Sequence, residues 1–160
     1  MSPIQIAFLV GLLLVLGAVT VFSGAVLRSA ARGGRGASLG FTGRRAEHGE
    51  LGRGAFLAHR VTGFAIFAFL CLHILDVALY SVSQRLYDGV QHVYGTAPLR
   101  LLESGLLFAV LFHTGNGLRL LAVDGFRTSP GRSLQLLRIV IASAVVLGAA
   151  GSALILAPLV

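Results

Sequence analysis

Long runs of apolar residues, separated by short polar or Gly- and Arg-rich segments, dominate this chain. Four of the runs are long enough to cross a hydrocarbon core of roughly 30 Å, which takes about 20 apolar residues in a helix. Backbone groups in lipid must be satisfied within their own segment, so each run is predicted to be helical. The predicted spans are residues 4–27, 61–82, 99–123 and 136–159. The pattern therefore predicts an all-α integral membrane protein with four transmembrane helices.

The segments between the runs differ in character. Residues 28–57 are rich in Gly and Arg with little periodicity, which predicts irregular structure with a short interfacial stretch before His59. A shorter mixed loop is predicted for residues 83–98, and a tight polar turn for residues 125–133. The predicted organisation is an additional N-terminal helix (1–27), a cytoplasmic Gly/Arg-rich linker (28–58) and a three-helix domain (59–160).

Composition supports a membrane protein. Of the 160 residues, 56% are hydrophobic and only 12% are charged, whereas soluble domains have about 25% charged residues. The net charge of +7 is typical of nucleic-acid binding, but here the arginines sit between apolar runs. They indicate membrane topology, and no nucleic-acid partner is expected. The single cysteine, Cys71, lies inside an apolar run and has no intrachain partner for a disulfide.

Arginine distribution predicts the orientation, because positively charged loops stay on the cytoplasmic side. Seven arginines lie between residues 28 and 60, and four more lie at or beside the last linker. The loop between the second and third spans has only Arg85 and Arg100, offset by Asp88. We therefore expect a bacterial inner-membrane protein with both Arg-rich linkers in the cytoplasm and both termini outside. The first run has no basic residues before it and positive charges after it, so it is predicted to be a retained helix rather than a signal peptide.

Ionisable residues inside a span are costly and are functional candidates by default. The second span contains His73 and Asp76, and the third contains His113, Asn116 and Arg119. Buried histidines on adjacent antiparallel helices suggest a ligand shared across a bundle. A rise of 1.5 Å per residue places His73 at roughly 20 Å and His113 at roughly 9–16 Å from the cytoplasmic edge. Two haems at different depths, each with a second ligand from another chain, fit these levels better than one shared iron.

Small residues surround one of these histidines. Gly105, Ala109, His113 and Gly117 recur every four residues and share a helix face. Such a face can form a shallow groove for a flat macrocycle, or it can simply pack closely against another helix. His59 is followed directly by Arg60 at the start of the second span. That position suits either a snorkelling interfacial pair or a polar site for a quinone head group or a haem propionate.

Two motifs resemble those of a known family. His59-Arg60-Val61-Thr62-Gly63 resembles the motif that opens a helix in the cytochrome b subunit of succinate dehydrogenase (complex II). The segment from His113 to Arg119, followed by Asp124, resembles that family's second motif: a His, three residues, a small residue, an aliphatic residue, Arg, and Asp five residues later. The motifs occur in the same order at helix ends, and the resemblance covers about residues 54–160.

The resemblance implies roles in haem binding. His113 matches the axial ligand of haem b, and His59 and Arg119 match positions near the haem propionates. His73 resembles the ligand of a more distal haem in di-haem members of the family. One or two haems b, shared with a partner membrane subunit, are therefore expected. Their attachment should be noncovalent, because the chain has no CxxCH sequence.

The resemblance also implies a quinone site. Arg60 matches an arginine at the quinone near the cytoplasmic face, with menaquinone favoured, and Asp124 matches the acidic residue that ends the helix. Two departures affect the sites: Leu120 stands where many members have a second histidine, and Phe56 replaces a serine near the quinone. The family usually has three spans, so the first helix here is an addition.

The expected function is that of a haem-binding membrane anchor in succinate:quinone oxidoreductase, which links the tricarboxylic acid cycle to the respiratory chain. The chain has no dinucleotide-binding glycine pattern and no cysteine cluster, so FAD and iron–sulfur clusters would belong to partners. Expected partners are a flavoprotein subunit, an iron–sulfur subunit, a second membrane-anchor subunit, quinone and lipid. The alternatives are a fumarate reductase anchor, a structural anchor without haem, and a small transporter or channel subunit.

Overall fold

The computed structural model describes residues 2–33, 43–126 and 129–157. Within them the chain forms five helices: α1 (Pro3–Gly33), α2 (Gly43–Val82), α3 (Gln84–Tyr94), α4 (Ala97–Phe126) and α5 (Pro130–Leu156). Four of these contain stretches long and apolar enough to cross a membrane: Pro3–Ala30, Leu51–Val82, Ala97–Gly125 and Gly131–Leu156. The prediction of an all-α membrane protein with four spanning helices is confirmed.

The second spanning helix is longer than the sequence indicated. Irregular structure was expected for residues 28–57, but this is wrong for 28–33 and 43–57, which are helical. The remaining linker residues, 34–42, lie outside the described part of the chain. The prediction of irregular structure treated the glycines of this segment as helix breakers, although one glycine within a helix costs only about 1 kcal/mol. At 40 residues, α2 is about 60 Å long and exceeds the roughly 40–45 Å of a whole bilayer, so it projects beyond the membrane.

A short amphipathic helix occupies the connection between the second and third spans. The loop expected at residues 83–98 is wrong, because α3 covers most of it. Leu86, Val90 and Val93 recur along one helical face, and Ser83 precedes them in the extended conformation of an N-cap. Val90 is fully buried and belongs to a core cluster contributed by α1, α2, α3 and α4. The other buried members of this cluster are Phe8, Leu72 and Leu99.

α2 is the central helix, and it contacts α1, α3, α4 and α5. α1 packs along it with the ring of Phe22 stacked on that of Phe64, at a centroid distance of 4.3 Å. The N-terminus of α1 is also tied to α3, because Nε2 of Gln5 donates to the carbonyl oxygen of Gly89 at 3.1 Å. The additional first helix therefore packs against the other helices rather than standing apart.

α4 and α5 pack closely through small residues. Gly148 lies directly beneath the ring of Phe108, where a Cβ atom would clash. Ala144, one turn earlier, is buried. Small residues four positions apart on α5 thus let the two helices approach closely.

Candidate functional site

Two imidazole rings from different helices stack against each other inside the bundle. His59 on α2 and His113 on α4 have ring centroids 3.9 Å apart and planes inclined by only 5°. Both side chains are half-buried. The sequence interpretation had separated these residues, with His113 in the membrane interior and His59 at its mouth. The structure instead brings them together as one site between α2 and α4.

The hydrogen bonds of His113 fix the orientation of its ring. Its Nδ1 atom lies 3.1 Å from the carbonyl oxygen of His59 and 3.3 Å from Oγ1 of Thr62. A carbonyl oxygen can only accept, so Nδ1 carries the hydrogen. The Thr62 hydroxyl donates in turn to the carbonyl of Ala58 at 2.8 Å. Since both contacts involve Nδ1, the lone pair of the neutral imidazole is at Nε2, the nitrogen that can ligate a metal.

Two glycines make room for the paired rings. A Cβ atom at Gly63 would lie 2.7 Å from Cε1 of His113, and one at Gly117 would lie 3.6 Å from Cε1 of His59. Each histidine is followed four residues later by the glycine that faces the other histidine. The two helices run antiparallel, so the His-x₃-Gly segments face each other in opposite directions. Gly63 is the tighter of the two positions, because the contact there is too short for a real Cβ atom.

Arg119 acts as a clamp between α4 and the start of α5. Its Nε and Nη2 atoms donate to the carbonyl and the hydroxyl of Ser133 at 3.0 and 2.8 Å, and Nη1 donates to Oδ1 of Asn116 at 3.0 Å. Asn116 is fully buried. Three of the five guanidinium hydrogens are thus used within the chain, and two remain for other acceptors. The expected position of Arg119 near haem propionates is therefore combined with a structural role.

Arg60 and Asp124, the other candidates near the linker side, are exposed, whereas both rings of the pair are half-buried. The guanidinium carbon of Arg60 lies 5.1 Å from the ring centroid of Phe56. This cation–π pair forms a surface of its own at the start of the spanning part of α2. Asp124 lies near the end of α4. The structure therefore does not bring all six candidate residues together.

His73 is placed differently from His113. The side chain of His73 is exposed, because it lies on a face of α2 that no described helix covers. Its ring stacks on Phe69 at a centroid distance of 5.9 Å. His113 packs at Gly63, ten residues earlier on α2, which corresponds to about 15 Å. The two histidines therefore lie at different levels, in the order that the sequence indicated, but the separation is larger than the roughly 4–11 Å between the expected depths.

The small-residue face of α4 is only partly covered. Gly105 and Ala109 line a cavity of about 270 Å³ between α1, α2 and α4, whereas Gly117 on the same face contacts His59. The groove that was expected beside His113 is thus divided. The half at Gly105 and Ala109 opens into a largely apolar cavity, and the half at Gly117 contains the stacked rings.

A buried polar cluster lies where α2 and α4 meet α3. Asp76 is only 3% exposed, and its Oδ2 accepts a hydrogen bond from Nε2 of Gln91 at 3.2 Å. Oδ1 of Asp76 and Oη of Tyr94 are both buried without a hydrogen-bonding partner among the described residues. Burial, and then the negative charges of Asp76 and Glu103, raise the pKa of Tyr94 to about 12. Tyr94 therefore stays protonated and can act as a donor at any physiological pH.

Three features of the site were missed by sequence reasoning. These are the stacking of His59 on His113, the hydrogen bond to Thr62, and the attachment of Arg119 to Ser133. The first had a visible signal, since the His-x₃-Gly spacing occurs on both helices. The other two depend on helix rotation and on the position of the α4–α5 connection.

Fold and site together define a polytopic helical membrane protein with a histidine pair between its second and third spanning helices. Residues 45–151 match the family model of the succinate dehydrogenase/fumarate reductase transmembrane subunit. The match covers more than half of the chain, and the protein belongs to this family.

Two curated relatives agree with the family match. The succinate dehydrogenase 2 membrane subunit SdhC of Mycobacterium tuberculosis is 40% identical over 82 residues, which cover 51% of this chain and 60% of the relative. The succinate dehydrogenase hydrophobic membrane anchor subunit of Halobacterium salinarum is 35% identical over 74 residues, 46% of this chain and 57% of the relative. The matched segments therefore span somewhat less than two thirds of each relative.

Proposed function

We propose that this chain binds haem b through Nε2 of His113 and serves as the membrane anchor of a succinate:quinone oxidoreductase. The observation that carries the haem assignment is the hydrogen bond from Nδ1 of His113 to the carbonyl oxygen of His59. Histidines that ligate metals almost always donate their other ring N–H to a carbonyl or carboxylate, which fixes the tautomer and the ring orientation. His113 has this arrangement within the chain itself.

The surroundings of His113 fit a haem ligand. A metal ion binds an imidazole nitrogen in the plane of the ring. The ring of His59 covers only one face of the His113 ring, so it does not block Nε2 of His113. Gly63 and Thr62 hold the opposite side of the ring close to α2. A preoriented ring loses little freedom when it ligates, which favours binding. His59 also presents a buried Nδ1 without a partner among the described residues, and this atom is available to a propionate.

Bound haem b supplies one-electron redox chemistry, and the chain's residues determine its position and surroundings. A partner membrane subunit would supply any further ligand that this haem needs. His73 is the candidate for a second, more distal haem. Its exposure on the surface of α2 places it where a partner helix could complete such a site.

The quinone site is proposed at Arg60. Its guanidinium is exposed beside Phe56, and the adjacent residue His59 belongs to the ring pair. An arginine can donate hydrogen bonds to a quinone carbonyl, and the neighbouring aromatic ring can pack against the quinone ring. A quinone bound there would contact the residue that directly follows His59 in the chain. Menaquinone remains the favoured quinone.

The anchoring role is proposed for the linker side of the protein. α2 extends beyond the membrane there, and most of the arginines lie on that side, which is assigned to the cytoplasm, with both termini outside. The names of the relatives support a succinate dehydrogenase complex. Flavoprotein, iron–sulfur and second membrane-anchor subunits would assemble with the chain. The family also includes fumarate reductase subunits, and the direction of turnover with a given quinone separates the two activities.

The test is to replace His113 by Ala in the purified complex and to measure haem b by its reduced-minus-oxidised spectrum. We expect loss of at least one haem signal per chain, because the substitution removes the nitrogen that is proposed to ligate the iron. The matched control is His92→Ala, which removes an exposed histidine of α3 and should leave the haem content unchanged. Full haem retention in the His113→Ala complex would remove the ligand assignment while leaving the anchoring role intact.

A further inference from the structure

An open cleft lies between α2, α4 and α5, near the end of the bundle where α4 connects to α5. Its volume is about 690 Å³. On the α2 side, Leu51 and the small residues Gly54, Ala55 and Ala58 line the cleft, and Phe112 of α4 forms part of its apolar wall. Arg138 of α5 supplies the charge. The cleft exists because α2 and α5 touch only slightly, whereas both pack against α4.

Among the residues of the described chain that line the cleft, Arg138 is the only ionisable one, and none of them is a carboxylate. It belongs to the apolar spanning segment Gly131–Leu156 and its side chain is exposed. An arginine within a span is costly, and its guanidinium does not lose its charge. The charge must therefore be compensated by an anion or by the polar head groups of the membrane. A cleft with apolar walls and one cation matches an amphiphile that carries one negative group.

The depth of Arg138 fits a phosphate at the membrane interface. α5 has 27 residues and is about 40 Å long, close to the thickness of a bilayer with its head groups. Arg138 lies eight residues beyond Pro130, or about 12 Å along the helix. With an interface of about 5–7 Å, its backbone lies just inside the hydrocarbon. A long side chain can extend from there to the level of the lipid phosphates.

This cleft is separate from the site at His113 and Arg60. Ala58 lines the cleft, and Arg60, two positions later on the same helix, lies about 200° away around the helix axis. Neither His59 nor His113 belongs to the cleft lining. An occupant of the cleft would therefore not compete with quinone or haem for the same residues.

We propose that the cleft binds an anionic phospholipid, with its phosphate on Arg138 and an acyl chain along the small residues of α2. Basic pockets between spanning helices on the cytoplasmic side bind anionic lipid head groups in membrane proteins. An arginine can donate two parallel hydrogen bonds to phosphate oxygens, which gives the contact a defined geometry. The missing side-chain volume at Gly54 and Ala58 provides the space that an acyl chain fills. The proposal does not depend on haem binding.

The experiment compares three variants of the complete purified complex: Arg138→Gln, Arg138→Lys and Arg132→Gln. Arg132 is also exposed on α5 but does not line the cleft, so it is the matched control for surface charge. Each complex is reconstituted in vesicles of phosphatidylcholine that contain enough phosphatidylglycerol to give an anionic surface. After re-extraction in detergent, retained phospholipids are counted by native mass spectrometry.

We expect the wild type and Arg132→Gln to retain phosphatidylglycerol equally, and Arg138→Gln to retain it about fivefold less, the factor typical of one basic residue at a lipid surface. Arg138→Lys should retain an intermediate amount, because lysine keeps the charge but not the paired donors. Equal retention in wild type and Arg138→Gln would overturn the proposal, because the guanidinium would then make no contribution to lipid binding. Equal losses in Arg132→Gln and Arg138→Gln would also overturn it. Haem content, measured on the same samples, should not change and reports separately on the His113 site.

Discussion

Replacing Gly63 by Ala is the most selective perturbation of the His113 site, because it changes neither a charge nor a hydrogen-bonding group. The new Cβ atom would lie 2.7 Å from Cε1 of His113, whereas ordinary contacts begin at 3.4 Å. The ring must therefore move by about 0.7 Å, the difference between these distances. No rotation of an alanine side chain can relieve this overlap.

The magnitude of the effect follows from the hydrogen bonds of Nδ1. They measure 3.1 Å to the carbonyl of His59 and 3.3 Å to Thr62, so a displacement of about 0.7 Å away from α2 takes both beyond the range of normal hydrogen bonds. Each such bond contributes about 0.5–1.5 kcal/mol. Losing the partner that orients a metal ligand typically lowers metal affinity by about 10–100-fold. In an isolated helix, replacing glycine by alanine would stabilise the helix by about 1 kcal/mol. A loss of haem affinity would therefore run against the intrinsic effect of this substitution on helix stability.

The assay is haem b per chain in the purified complex, combined with the thermal midpoint of haem release. Gly63→Ala should bind haem substoichiometrically or release it at a lower temperature. Gly52→Ala is the control, because Gly52 lies on the same helix and a Cβ atom there has nothing within 4 Å. Full haem occupancy with an unchanged spectrum and midpoint in Gly63→Ala would refute the reasoning that the ring position of His113 depends on Gly63.

Three further predictions concern packing and titration. Gly148→Val should destabilise the α4–α5 pair by about 1–3 kcal/mol through overlap with Phe108, seen as a lower thermal midpoint of the complex in detergent. Arg119→Lys should also lower that midpoint, because a lysine cannot make both contacts to Ser133; an unchanged midpoint would argue against the clamp. Burial raises the pKa of Tyr94 to about 12. The neutral phenol therefore contributes fully to the stability of the folded state below pH 10, and this contribution is lost as the pH rises through 12. The absorbance difference at high pH between wild type and Tyr94→Phe should therefore titrate near pH 12, and a midpoint near 10 would contradict the burial of the phenol.

The spanning helices could be predicted from the sequence because their signal is simply length and apolar composition. The helical segments that continue beyond these apolar runs could not be predicted in the same way. The segment before Leu51 contains several glycines and charges, which resemble a loop when local propensity is considered alone, yet it continues α2. The connection at α3 was also missed, because its apolar residues are few and are stabilised by packing of Val90 against neighbouring helices rather than by local sequence.

The histidine site shows a similar division. The sequence identified His113 and His59 individually, and the relative depth of His73 followed from helix rise. The contact between His59 and His113 depends on the rotation and register of two helices whose residues are 54 positions apart. One sequence feature does encode it: a glycine four residues after each histidine, which lets antiparallel helices seat each ring against the other helix. The exposure of His73 could not be predicted, because hydrophobicity alone does not tell which face of a spanning helix meets a neighbour.

The most direct test of the central claim is a pyridine haemochrome measurement on the complete wild-type complex, normalised to the amount of this chain. The account predicts at least one haem b per chain, held by His113, and a second haem would assign a ligand role to His73 as well. A complex that is fully assembled and reduces quinone but contains no haem would contradict the account and leave the chain as a structural anchor.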